Sequence, residues 1–202
     1  MKMLWQLYET GQIDLFFADE AGFRQVPCIP YGWQPIGQRT RILPQKGKTL
    51  SVFGLLSPDN QLACYPTEQT TNAEFIIQCI DHFLDNKVKR PTVIILDNAP
   101  IHTAKIMMNK RKEWENKDLF LFFLPKYSPH LNRIEILWRK VKYEWLKPQH
   151  YKSWGTLKRA VKDILASFGS DLYNINFSKP FYIILFGYLL KQITILNFVI
   201  EK

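Results

Sequence analysis

At 202 residues the chain is long enough for one sizeable domain and short for two. A composition that is 47% hydrophobic, 14% aromatic and 22% charged excludes a disordered or low-complexity chain. The formal net charge of +9 favours an acidic partner, and nucleic acid is the commonest one.

The start, MKMLWQLYETGQ, lacks the long apolar run and small-residue cleavage site of a signal peptide. IDLFFADE (13–20) predicts a strand with a polar end. GWQPIGQRTRILPQKGK (32–48) is punctuated by Gly and Pro and is basic, which predicts a loop or hairpin. TLSVFGLLS (49–57) and QLACYPTE (61–68) flank the turn signal Pro58-Asp59-Asn60 and predict an antiparallel hairpin. Residues 71–86 carry apolar side chains at helical spacing, with Thr71 and Glu74 as a capping box. TVIILD (92–97) predicts a short buried strand, 102–117 a basic helix, and LFLFFLP (119–125) another buried strand, its phenylalanines in the core. Residues 128–147 read as one helix with Ser128 as N-cap and Pro129 in its first turn, and 153–168 as a further helix. Three antiparallel strands followed by helix-strand alternation make an α/β fold, a mixed five-stranded sheet flanked by helices.

The charge is concentrated. Residues 101–170 hold 15 Lys and Arg against 6 Asp and Glu, whereas residues 1–100 hold 9 against 10. A solvated set of basic helices is the plain alternative to a nucleic-acid surface. Cys28, Cys64 and Cys79 have neither metal-ligand nor redox spacing, which suits a reducing compartment. Residues 181–200 are apolar with only Lys191 charged. Their length permits a membrane span, but a lysine near the middle argues against one. We treat 179–202 as an apolar extension of unknown role.

Three acids stand where acids are costly or conspicuous: Asp19 at the end of the first apolar strand, Asp97 at the end of the central one, and Glu135 on a helix rich in Lys and Arg. In open α/β sheets ligands bind at the strand ends, so the two aspartates can converge there with the glutamate above them. Clustered carboxylates stay ionised only around a cation. Oxygen-only ligands select Mg²⁺ or Mn²⁺, and two such ions about 4 Å apart serve phosphodiester chemistry. Singly, each acid has a plainer reading. Asp97 can cap the next helix, Glu135 can pair with Arg139, and Glu20 reads as a surface or supporting group.

FFADEAGF (16–23), IILDNAPIH (94–102) and LPKYSPHLNRIEILWRKVK (124–142) together resemble the signature blocks of mariner-like transposases, in particular their bacterial insertion-sequence relatives. These are DDE-type recombinases with a ribonuclease-H-like fold. Between Asp97 and Glu135 lie 37 residues, within the range of such enzymes. The resemblance implies a catalytic domain at 1–178, with Asp19, Asp97 and Glu135 as catalytic metal ligands for two Mg²⁺ ions that Mn²⁺ can replace. It implies hydrolytic cleavage at element ends, then attack of the 3′-hydroxyl on target DNA at TA sites. It implies a homodimer in the active complex and a cytoplasmic, nucleoid-associated setting. Asn98 and His102 would orient a carboxylate, a water or a DNA phosphate, with capping or packing as the plain alternative for His102. Lys126, Tyr127, Asn132 and Arg133 would contact phosphates near the scissile bond, and Lys140 and Lys142 phosphates more generally. Trp33 and Arg39 fall where the family carries a hairpin that reaches DNA or a partner subunit; a core position is the alternative for Trp33.

Full-length relatives begin with a helix-turn-helix region, for which the sequence before Asp19 has no room. The expectation is therefore an upstream helix-turn-helix protein, a truncated copy, or a fragment, with little sequence specificity in this chain alone. A ribonuclease-H-like nuclease that only hydrolyses, and an inactive DNA-binding remnant, are the competing readings.

Overall fold

Alternation in β1 (Asp14–Arg24) sends Leu15, Phe17, Ala21 and Phe23 into one core and Phe16 and Ala18 into another. This strand is the centre of the computed structural model, which describes residues 1–26, 36–37, 48–87 and 90–177. The expectations for Trp33, Arg39 and the 179–202 extension lie outside the described residues. β1 pairs antiparallel with β2 (Thr49–Leu56), and β2 pairs antiparallel with β3 (Leu62–Thr67). On its other side β1 pairs in parallel with β4 (Thr92–Leu96), which pairs in parallel with β5 (Leu119–Phe123). The sheet order is β3-β2-β1-β4-β5, the mixed five-stranded sheet expected from the sequence. Every residue of β4 is buried, as a parallel strand covered on both faces must be.

One face carries α2 (Ala73–Lys87) and α3 (Lys105–Glu115), packed through Ile76, Ile80, Phe83, Met107 and Trp114. The Trp114 indole N–H donates to Asp81 at 2.7 Å and ties the two helices together. The other face carries α1 (Lys2–Glu9), α4 (Ile134–Lys140) and α5 (Trp154–Ala166). Among the described residues no helix is long and apolar enough to cross a membrane.

Three local expectations change and one element is new. β1 does not stop at Asp19 but runs on to Arg24, because β2 keeps pairing with it after β4 has left at Phe17. α2 starts at Ala73, and its cap is Asn72, whose side-chain oxygen accepts from Phe75 N–H at 2.9 Å, rather than Thr71. The segment 128–147 is not one helix: a 3₁₀ turn (Pro129–Leu131), an extended Asn132, α4 and a π-helical turn (Val141–Trp145) follow one another. α1 was not foreseen; eight residues are too short to hold a helix by propensity, and Leu4, Trp5 and Leu7 hold it by burial.

Candidate active site

Asp19 is an odd-numbered residue of β1 and shares its face with Phe17 and Ala21, the face covered by α4. Its partner in the ladder is Gly54 of β2. A Cβ on Gly54 would lie 2.8 Å from the Trp138 ring and 2.9 Å from Ile134 Cδ1. The missing side chain therefore lets α4 lie directly on the sheet beside Asp19. Glu135, in the first turn of that helix, is half-buried, with no side-chain hydrogen bond or ion pair among the described residues. Burial pushes the Asp19 carboxyl up to about 7; the charge of Glu135 adds most to this, then those of Glu20 and Asp97, against the backbone N–H of Glu20.

Asp97 follows the last residue of β4, and β4 lies beside β1 in parallel, so both aspartates reach the same edge of the sheet. Asp97 is about half-exposed, at 49%. Its Oδ1 accepts from the Ala99 N–H at 2.9 Å and lies 2.6 Å from His102 Nδ1. The His102 ring is fully buried, and its Nε2 lies 3.0 and 3.1 Å from the two carboxylate oxygens of Glu20. The bond to His102 holds Asp97 below the usual carboxylate range despite burial. Burial alone would lower the His102 pKa, but its bonds to Asp97 and Glu20 win and raise it to about 10.

Asp97 and Glu135 line one pocket of about 440 Å³ with Asn98, Leu124, Lys126, Tyr127 and Asn132. Two asparagines brace its walls. Asn98 Nδ2 donates to the Leu124 carbonyl, joining the ends of β4 and β5. Asn132 is 3% exposed and donates to the carbonyl of Ala18, next to Asp19, at 3.0 Å. Both braces are internal rather than turned outward. At the rim, Lys126 is exposed and its ammonium has no partner among the described residues. Tyr127 is 97% exposed at φ 58°, a backbone conformation uncommon for a bulky residue.

The other basic residues named from the sequence are more engaged. The Arg133 guanidinium stacks over Trp5 at 4.4 Å and Phe177 at 4.9 Å, clamping α1 and the end of the described chain against the start of α4. Lys140 pairs with Glu144 at 2.6 Å, and Lys142 leans over Phe23. The sequence reading left out the linkage of Glu20 through His102 to Asp97, and the role of Gly54. A glycine inside an apolar strand was the available signal for the latter.

The donor set suits a hard divalent cation: the three acids offer oxygen alone, and a cation would relieve the charge crowding at Asp19. Among the described residues no three His, Cys, Asp or Glu side chains come close enough together to share one ion.

Residues 14–158 match the family described as DDE superfamily endonuclease. The chain belongs to that family. The match takes in β1 to β5 and α4, and hence all three acids. Among solved structures, this DDE endonuclease is similar in fold to the Mos1 strand transfer complex, with a TM-score of 0.55 and 19% identity over 83% of this chain and 52% of that one. The Mos1 mariner paired-end complex with Mn gives 0.55 and 18%, over 83% and 53%. The corresponding complex with Mg gives 0.54 and 16%, over 85% and 54%. The mariner-like resemblance of the three sequence blocks thus has its counterpart in the fold, which is that of the mariner enzyme's ribonuclease-H-like domain. The chain spans about half the length of these solved transposases. A comparison with curated protein sequences gives no match.

Proposed function

We propose that this DDE endonuclease is the catalytic domain of a DNA transposase, spanning residues 1–178. It cleaves the ends of its element by hydrolysis and joins the exposed 3′-hydroxyl to target DNA, at TA dinucleotides. The observation that carries the reading is that Asp97 and Glu135 line one pocket, while on the neighbouring strand burial, and then the charges of Glu135, Glu20 and Asp97, push the Asp19 carboxyl up. Family membership supports phosphodiester cleavage, and the likeness in fold to Mos1 supports transposition over hydrolysis alone.

In this reading Asp19, Asp97 and Glu135 hold two Mg²⁺ ions, or Mn²⁺ in their place; the Mn and Mg complexes of Mos1 support a divalent ion. Bound there, such ions would supply activation of a water or a 3′-hydroxyl and stabilisation of the leaving oxygen. Lys126 offers its ammonium to a phosphate at the pocket mouth, and Tyr127 offers a ring for a sugar or base. Asn98 and Asn132 hold the two strand ends that carry the aspartates. No side chain is asked to act as a nucleophile, so no covalent protein–DNA intermediate forms. The partners are element ends and target DNA, a second copy of the chain, and a helix-turn-helix protein or segment for end recognition. The element is a bacterial insertion sequence and the work is done at the nucleoid.

Nicking of supercoiled DNA by the purified chain tests this. Nicking is expected with Mg²⁺ or Mn²⁺ and not with EDTA. Asp97→Asn is expected to reduce it to background while gel-shift affinity for DNA is kept. A variant that nicks as the parent does would remove Asp97 from the reaction.

A further inference from the structure

The two faces of β1 divide the labour around Asp97. Asp19 stands on the α4 face, whereas Glu20, the next residue, turns to the α2–α3 face and meets His102 there. Each ring nitrogen of His102 faces a carboxyl group, Nδ1 that of Asp97 at 2.6 Å and Nε2 that of Glu20 at 3.0 Å, so the ring bridges the two acids. A fully buried ring is tolerated only when its polar nitrogens find partners. A histidine kept merely for packing needs no such pair of acids. Asp97 Oδ1 also accepts from the Ala99 N–H, so this one oxygen is held twice, while Oδ2 has no partner among the described residues.

We propose that Glu20 is a positioning residue, which through His102 holds the Asp97 carboxylate in the orientation that serves a divalent cation and is not itself a ligand. The inference rests on the metal-dependent reading above and deepens it. Both Glu20 oxygens lie within 3.1 Å of the His102 Nε2. The glutamate is thus taken up by the ring and lies on the opposite face from Asp19 and Glu135. Outer-shell partners of this kind typically carry on the order of 10–100-fold in metal affinity.

The test is Mn²⁺ binding by calorimetry on the full chain without DNA, for the parent, Glu20→Gln, His102→Asn and the double variant, with thermal melting alongside. Glu20→Gln is nearly isosteric at a side chain 20% exposed. It is expected to melt as a folded protein and to bind Mn²⁺ at least about tenfold more weakly. The double variant is expected to bind no more weakly than His102→Asn alone, because both act along one path. DNA affinity without metal should not move. Glu20→Gln affinity within about twofold of the parent, or a Glu20→Gln chain without a cooperative melt, overturns the proposal. Effects of the two substitutions that multiply also overturn it, since Glu20 would then act independently of His102. A parent that binds no Mn²⁺ removes both this inference and the metal-dependent function; a parent that binds normally with unaffected variants removes this inference alone.

Discussion

Asp19 makes the charge problem of the site measurable. In an unfolded chain its carboxyl titrates near 3.8, and in the fold it rises to about 7. Between those values the folded state binds the extra proton, so stability falls as pH rises from about 4 to about 7. Metal-free protein should show this fall in its thermal midpoint, and Asp19→Asn should flatten it; equal slopes for the two proteins would contradict the assignment. His102 has the opposite sense: a base whose folded pKa is raised to about 10 stabilises fully below its ordinary 6.5 and loses that contribution as pH rises through about 10. At the rim, Tyr127→Ala should weaken DNA binding without lowering stability, because the ring is almost wholly exposed. Gel shifts alongside melting curves check this. The placement of the three acids was legible in the sequence: Asp19 falls on β1, Asp97 directly after β4 and Glu135 on α4. The bridge from Glu20 to Asp97 was not, because it runs through His102, which lies 82 residues from Glu20 in sequence and whose burial is a property of the fold.

Between elements, the decisive contact is α4 lying on β2. Gly54→Ala would drive a methyl group into Trp138 and Ile134, an overpacking that costs roughly 1–3 kcal/mol and lifts Glu135 away from Asp19. The variant should melt lower and lose more Mn²⁺-dependent cleavage than the stability change explains. Cleavage at the parent's rate would show that close approach is not needed. Asn132→Ala should cost about 1–3 kcal/mol through the unpaired Ala18 carbonyl. The strands and their order followed from apolar runs and turn residues such as Pro58-Asp59-Asn60, where the turn does form, with Asn60 at φ 66°. The break before α4 did not follow, since helical spacing continues through 128–147 while Asn132 is held extended by a bond to β1 more than a hundred residues earlier. α1 escaped for a similar reason. Its helix exists because Trp5 packs near Phe17 and under Arg133, contacts that local pattern does not contain.

Across the whole molecule, the basic surplus of 101–170 is partly spent within the protein. Lys110, Arg111, Lys117, Lys140 and Lys158 all pair with acids, and Arg133 stacks on aromatic rings. These exposed pairs contribute little to stability, and DNA phosphates can compete for the same cations. DNA affinity should therefore fall steeply with salt, and Lys126→Ala should reduce the slope of log K against log salt by about 1. The composition pointed to nucleic acid, but only the fold separates a free cation at the pocket from cations already engaged. The most direct test of the account is strand transfer. The full chain would be given a fluorescent duplex with an exposed 3′-hydroxyl and a supercoiled target, in Mg²⁺, Mn²⁺ or EDTA. We expect metal-dependent joining that Glu135→Gln abolishes. Metal-dependent nicking with no joining, or joining that survives Glu135→Gln, would contradict it.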